Sequence, residues 1–179
     1  MTETSTASPP PLVWLRRDLR LSDHPALSAA AEAGAVSPAF ILDPETEGLG
    51  AAHLFRLGLS LERLSESLRA RGSRLILRRG EALDALRALI AETGAGAVHW
   101  SRLHDRAARG RDEKVKAALK ADGVEARSFP GHLLFEPWTV ETGQGSFYKG
   151  YTPYWRAVQD RPVHEPMPAP ALTPPQAWP

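Results

Sequence analysis

Apolar residues along the chain fall into five short runs, at 12–15, 36–42, 74–77, 97–100 and 124–129. The segments between them have the spacing of amphipathic helices, at 25–33, 51–70, 81–93 and 105–122. Strands that alternate with helices of this length pair in parallel through right-handed crossovers. The pattern therefore predicts an α/β fold, with an open five-stranded parallel sheet covered by helices on both faces.

The helix predicted over 51–70 has the clearest pattern. Its leucines recur at steps of three and four and make one continuous apolar face, at Leu54, Leu57, Leu61, Leu64 and Leu68. Gly72 is expected to end this helix. The helix over 25–33 should begin at Pro25, with Ser22 or Asp23 as its N-terminal cap.

The two ends of the chain differ from this interior. Residues 1–11 are rich in Ser, Thr and Pro and are predicted to be disordered. After Pro130 the alternation stops, and residues 131–160 are aromatic and glycine-rich with at most one short helix. Residues 161–179 contain seven prolines in nineteen residues and are predicted to form an extended linker. One domain over 12–160 follows from these boundaries.

Composition narrows the classes of function. The formal net charge is +1, so no global field favours nucleic acid or an acidic membrane as partner. The absence of cysteine excludes disulfides, thiolate metal sites and thiol catalysis, and no metal site is predicted. No apolar stretch approaches the roughly 20 residues that span a bilayer. We expect a cytoplasmic, monomeric protein with no membrane contact.

Charged residues follow the first strand directly, because residues 13–27 read VWLRRDLRLSDHPAL. In a doubly wound sheet this loop lies at the carboxyl edge, where ligands bind, together with Asp43 and residues 101–105. Arginine can clamp an anion and stack on a flat ring. Arg17 and Asp18 can equally pair with each other or with neighbouring loops. The spacing leaves both a structural and a ligand-binding role open.

Other chemical signatures are weak. GLGA at 48–51 is an incomplete dinucleotide fingerprint and follows the second strand rather than the first. No phosphate-binding loop and no defensible pair of catalytic carboxylates is present. His53, at the start of the second long helix, is a candidate for facing a ligand, whereas His99 is expected in the core. Burial is also expected for the large side chains of Trp14, Trp100, Trp138 and Trp155.

Several of these segments resemble the N-terminal domain of the DNA photolyase/cryptochrome family. VWLRRDLRLSDHPAL is similar to the opening of that family, and GHLLFEPWTVETGQGSFYKGYTPYWRA at 131–157 is similar to the segment that leaves the domain. PAFILDPE at 38–45 and GSRLILRRGEALDALRAL at 72–89 are similar to its second and third strands with their flanks. The resemblance covers residues 12–160 in the order of the family.

The resemblance implies a Rossmann-like, doubly wound domain that binds a light-harvesting antenna chromophore. In the family, a linker joins this domain to a larger FAD-binding domain, which binds DNA and repairs pyrimidine dimers with light. That domain is absent from the chain, so we expect a fragment without repair activity of its own. The positions that match the antenna site of the family are Arg17, Asp18, Phe40, Ile41, His53 and Asp105.

Departures from the family pattern bear on the ligand. Folate-binding members carry an Asn-Glu pair where this chain has Ala107 and Ala108, which favours a deazaflavin or FMN over a folate. The leading interpretation is the antenna domain of a photolyase that repairs cyclobutane pyrimidine dimers. A cryptochrome photoreceptor and a chromophore-free scaffold that contacts the FAD domain are the alternatives. A nucleotide-handling enzyme on the same sheet, testable by ATP binding, is more distant.

Overall fold

The computed structural model describes residues 9–179. The segment 1–8, most of the predicted disordered terminus, lies outside the described residues. The prediction is wrong for its last residues, because Pro11 is buried and its carbonyl accepts a hydrogen bond from the Ser37 backbone N–H at 3.1 Å. Ordered structure therefore begins before the first strand.

Five strands and four long helices lie where the hydrophobic pattern predicts them. The strands are β1 (Leu12–Leu15), β2 (Ser37–Leu42), β3 (Ile76–Arg79), β4 (Ala97–Ser101) and β5 (Glu125–Phe129). The helices are α1 (Pro25–Ala33), α2 (Pro44–Glu47), α3 (Ala51–Arg69), α4 (Ala82–Thr93), α5 (Arg106–Ala121) and α6 (Tyr151–Val158), with a 3₁₀ turn at Pro137–Thr139. The short α2 was not predicted, and β3 begins two residues later than expected.

All strand pairs are parallel, in the order β3-β2-β1-β4-β5. This is the predicted doubly wound sheet. The chain reverses its direction across the sheet between β1 and β4, so a crevice opens beyond the carboxyl ends of these central strands. The charged segment that follows β1 lies at this crevice.

Strand β1 divides the core between the two faces of the sheet. Leu12 and Trp14 pack with α4 and α5 on one face, while Val13 and Leu15 pack with α1 and α3 on the other. All four side chains are at most 1% exposed. A central parallel strand is covered on both faces, which explains why β1 is continuously apolar rather than alternating.

Helix α1 begins as predicted at Pro25 but has a different cap. The cap is His24, whose Nδ1 accepts a hydrogen bond from the Leu27 backbone N–H at 3.2 Å. Asp23 instead adopts a left-handed backbone conformation with φ of 49°. The prediction of Ser22 or Asp23 as cap is wrong, because this turn places an imidazole rather than a carboxylate over the first helical turn.

Two of the four tryptophans expected in the core are largely exposed. Trp14 and Trp100 are buried and their rings meet edge to face with centroids 6.0 Å apart. Trp138 and Trp155 are 58% and 47% exposed. Both lie in the aromatic segment after β5, which supplies little core of its own. Size alone therefore does not predict burial in this segment.

The proline-rich segment 161–179 is extended but lies against the domain. The Asp23 backbone N–H donates to the Met167 carbonyl at 2.7 Å, and Thr173 forms a parallel bridge with Ala35. Ala169 and Leu172 pack on the α1/α3 side of the sheet, whereas Trp178 packs on the α4/α5 side. The segment therefore crosses an edge of the sheet and contacts both cores.

No helix within residues 9–179 is long and apolar enough to cross a bilayer.

Candidate functional site

The first arginine after β1 belongs to the fold. The Arg16 side chain is 7% exposed, and its Nη1 donates to both carboxylate oxygens of Asp112 at 2.7 and 2.8 Å. Its Nη2 donates to the Ser101 carbonyl, and the guanidinium stacks 4.4 Å from the ring centroid of Trp14. Burial lowers the pKa of Arg16, and Asp112 opposes that shift. Arg16 therefore ties β1 to β4 and α5.

Asp18 is buried in the same corner. Its Oδ1 accepts the Arg16 backbone N–H at 2.8 Å, and its Oδ2 lies 3.0 Å from Nε2 of His24. Because Nδ1 of His24 accepts a backbone hydrogen bond, Nε2 carries the proton that faces Asp18. Burial acts to raise the pKa of Asp18, but His24, Ser101 and the Arg16 N–H outweigh it and hold that pKa well below its ordinary value.

This depressed pKa predicts a pH-dependent contribution to stability. The carboxylate of Asp18 stabilises the fold above its unfolded pKa of about 3.9, and the contribution is lost as the pH falls below that value. We expect Asp18→Asn to lower the free energy of unfolding by about 2 kcal/mol at pH 7. The difference from the unsubstituted chain should shrink towards pH 3, as measured by urea denaturation at each pH. A difference that stays constant would contradict this role.

The second arginine faces outward instead. The Arg17 side chain is 57% exposed, with Nη1 3.0 Å from Asp105 and Nη2 4.0 Å from Glu45. Asp105 is the N-terminal cap of α5, because its Oδ1 accepts the Ala108 backbone N–H at 2.9 Å. That N–H lowers the pKa of Asp105, and Arg17 adds to the effect. The ion pair with Asp105 therefore holds the Arg17 side chain in position.

A third arginine, which the sequence did not indicate, completes an ion-pair network along this edge. Arg111 on α5 donates from Nη1 to Asp43 at 2.7 Å and to Glu45 at 3.0 Å. Its Nη2 lies 3.3 Å from Asp112, the partner of Arg16. Asp43 also caps α2 by accepting the Thr46 backbone N–H at 2.8 Å. The network fixes the loops after β1 and β2 against α5.

A cavity of about 660 Å³ opens beside this network, and we call it the edge cavity. Its apolar lining comes from the strand ends, α3 and the loops, with Leu19, Phe40, Ile41, Leu49, Ala52, Leu57 and Leu103. Its polar lining comprises Arg16, Arg17, Asp43, Glu45, Thr46, His53, Arg56, Ser60 and Arg111. A volume in the range of about 300–1,000 Å³, with apolar walls and a few fixed polar groups, is typical of a small-molecule site.

The structure brings four of the six residues predicted for the site into this cavity. Arg17 and His53 lie on its polar lining, and Phe40 and Ile41 form part of its floor. Asp18 does not line it, and both of its carboxylate oxygens face protein partners, the Arg16 backbone N–H and the His24 ring. Asp105 does not line the cavity either and acts on it through Arg17. Asp18 is thus corrected to a role in the fold.

The leucine stripe of α3 is buried in the core over only part of its length, and one of its five leucines lines the cavity instead. Leu64 and Leu68 are buried, whereas Leu54, Leu57 and Leu61 are only half-buried. Leu57 lines the cavity. Sequence periodicity predicted a single apolar face correctly, but it carries no information on whether such a face meets protein or an open pocket.

The chemistry of the lining suits a flat, polar-edged ring system. Aliphatic side chains and Phe40 offer an apolar surface, and the partly exposed Arg17 guanidinium can stack on a ring or donate to its carbonyl oxygens. Ion pairs hold the arginines in place before any ligand enters, which lowers the entropic cost of binding. Among residues 9–179, no cluster of three or more His, Asp or Glu side chains could hold a metal ion.

Comparison with known proteins identifies relatives over nearly the whole chain. The family model described as DNA photolyase matches residues 11–172. The deoxyribodipyrimidine photo-lyase of Agrobacterium fabrum is 44% identical over 98% of this chain, and Cryptochrome-2 of Arabidopsis thaliana is 38% identical over 87%. The chain spans 37% and 26% of the length of these two relatives.

Solved structures agree with this relationship. A bacterial class III photolyase from Agrobacterium tumefaciens matches with a TM-score of 0.94 at 43% identity, covering 99% of this chain and 37% of that one. An archaeal photolyase from Sulfolobus tokodaii matches with a TM-score of 0.78 at 27% identity, covering 90% and 37%. The latter is described with two FAD molecules and an implied novel light-harvesting cofactor.

Proposed function

The chain belongs to the DNA photolyase family, and from that premise we propose that it is the light-harvesting domain of a deoxyribodipyrimidine photolyase, with a flavin-type antenna chromophore in the edge cavity. The observation that carries this proposal is the convergence of Arg17, Phe40, Ile41 and His53 on one cavity beside the switch point of the sheet. These positions match the antenna site that the family pattern suggests.

The lining of the cavity supports a planar chromophore. Phe40, Ile41 and Leu57 provide an apolar floor for a ring system, while Arg17 and His53 border it with polar groups. A chromophore held there would supply light absorption and the transfer of excitation to an FAD in the part of the protein that this chain does not span. The role of the chain is to bind the ring, to orient it and to shield one of its faces from water. The second FAD of the Sulfolobus tokodaii photolyase supports a flavin rather than a folate in this role.

The remaining activity requires a partner. Because the chain spans about 37% of its photolyase relatives, we propose that FAD binding and DNA contact reside in the part that it does not span. A candidate surface for that part is the α6 patch, defined as Phe147, Tyr151 and Trp155, which are 71%, 74% and 47% exposed. Tyr151 and Trp155 stack with ring centroids 6.3 Å apart, and exposed aromatic pairs are typical of interfaces.

Repair should therefore be absent from the chain alone. We expect no reversal of pyrimidine dimers in DNA under blue light, even with added FAD. Repair is measured as the recovery of the ultraviolet absorbance that the pyrimidines lose when they form dimers. The Agrobacterium fabrum photolyase serves as the positive control. Measurable repair by the 179-residue chain would contradict the assignment of catalysis to a separate domain.

A cryptochrome is the second candidate, because Cryptochrome-2 of Arabidopsis thaliana is 38% identical to this chain. The antenna role is the same in both cases. Dimer repair by a longer protein that contains this domain would favour the photolyase, and a light response without repair would favour the photoreceptor. A cytoplasmic monomer stays a prediction in either case.

The direct test is a titration of the purified chain with FMN, a deazaflavin and a reduced folate, followed by the absorption and fluorescence of each ligand. We expect saturable binding of a flavin-type compound with a stoichiometry of about one. If only the folate binds saturably, the antenna chromophore is a pterin rather than a flavin, and the antenna role is unchanged. No binding by any of them would favour a scaffold with an empty cavity.

A further inference from the structure

The arginines that border the edge cavity differ in their ion-pair partners. Three of them, Arg16, Arg17 and Arg111, form one network with Asp43, Glu45, Asp105 and Asp112. That network holds one more carboxylate than it holds guanidinium groups. The wall formed by β1, β2 and α5 is consequently not a site for an anion, despite its arginines.

Arg56 stands on α3 and lines the same cavity from outside that network. No carboxylate in residues 9–179 forms an ion pair with it, although the network arginines have such partners at 2.7–4.0 Å. Its neighbours at helical spacing are Ala52, His53, Leu59 and Ser60, none of them acidic. The side chain is exposed and lines the cavity, so its charge is accessible to a ligand there.

On the α3 wall of the cavity, Arg56 is the side chain that attracts an anionic group. The Ser60 hydroxyl, one turn further along α3, donates its only proton to the Arg56 carbonyl at 3.0 Å. It therefore has no proton left to donate to a ligand. His53, one turn earlier, brings an imidazole to the same side of the cavity. The cationic guanidinium is therefore the group on this wall that can bind a phosphate strongly.

From this asymmetry of charge we infer that the cavity selects a chromophore with an anionic tail and binds that tail at Arg56. The inference rests on the proposed function and extends it to the class and orientation of the ligand. The ring lies on the apolar floor, and a phosphate at the end of the ribityl chain points to α3. In the reversed orientation the phosphate would meet Asp43 and Glu45, which repel it.

The test compares riboflavin with FMN, which differ only in the terminal phosphate. We expect FMN to bind about tenfold more tightly than riboflavin at low salt, with the ratio falling as KCl is added, because an exposed ion pair is screened. FAD should also bind more tightly than riboflavin, through its diphosphate, but by a smaller factor than FMN. Inorganic phosphate should compete with FMN more effectively than with riboflavin.

Two variants locate the preference. Arg56→Gln should bring the affinity for FMN close to that for riboflavin, and it should change riboflavin binding much less. Arg63→Gln removes a charge from the same helix, outside the cavity lining and paired with Glu66, and should keep the preference. Equal affinity for both flavins, or a preference that survives in Arg56→Gln, would overturn the inference while leaving the antenna role intact. Failure of both flavins to bind would overturn the proposed function together with the inference.

Discussion

Replacement of Asp112 by alanine should lower the free energy of unfolding by about 3 kcal/mol, or roughly 10 °C in melting temperature. The reason is the position of its partner. Asp112 supplies both carboxylate oxygens to Arg16, whose side chain is 7% exposed. Without Asp112, a buried guanidinium keeps its charge but loses its counterion, and it cannot be deprotonated at an ordinary pH to escape that cost.

Asp122, the C-terminal cap of the same helix, provides a matched control. Asp122 also makes a paired contact with an arginine, since its two oxygens lie 2.8 and 3.2 Å from nitrogens of Arg87, but that pair is exposed. Asp122→Ala should therefore change the melting temperature far less than Asp112→Ala. Should the Asp112→Ala chain not fold, Asp112→Asn keeps an acceptor for Arg16 and should show an intermediate loss. Equal effects at the two aspartates would show that Arg16 is not a structural residue.

Ala52→Trp should weaken binding of the chromophore by about a hundredfold or more. Ala52 lies in the first turn of α3 and lines the edge cavity. Its side chain is exposed to solvent, so the fold does not depend on its size. An indole at this position gains by entering the apolar cavity rather than water and then occupies the volume that a ring would fill.

The adjacent residue provides the control for this substitution. Ala51 is equally exposed and does not line the cavity, so Ala51→Trp adds the same side chain to the same helical turn. It should leave the affinity unchanged, and both variants should melt within a degree or two of the unsubstituted chain. Binding should be measured by the fluorescence of the ligand that the titration identifies. Equal losses in both variants, or in neither, would place the ligand elsewhere.

Much of the fold follows from local pattern. The continuous burial of β1 matches an uninterrupted apolar run, and α3 ends close to Gly72 as its breaker residue predicts. The register of β3 did not follow, because Arg78 and Arg79 look like loop residues yet pair with Ile41 and Leu42 at the exposed edge of the sheet. An edge strand buries little, so hydrophobic periodicity indicates it poorly.

The sheet topology predicted the location of the site but not the partners of its side chains. The carboxyl edge of a doubly wound sheet predicted where the loop after β1 would lie, and Arg17 does reach the cavity. Arg16 is structural and Arg17 faces the cavity because their side chains point in different directions at the end of β1. Arg16 pairs with Asp112, which is 96 residues away in the sequence. The contact between Arg111 and Asp43 spans 68 residues. Pairings at such separations are set by packing and leave no signal in spacing.

The most direct test of the central claim is the map of backbone amide shifts in a ¹⁵N-labelled sample of the chain as FMN is added. A ligand in the edge cavity should produce its largest shifts in three segments, at residues 16–19, 40–46 and 49–60. Amides at the opposite, amino end of the strands, such as those of Gly94 and Gly123, should move little. Shifts centred on Arg102 and Trp138, or no saturable shifts at all, would contradict the assignment of the antenna site to this cavity.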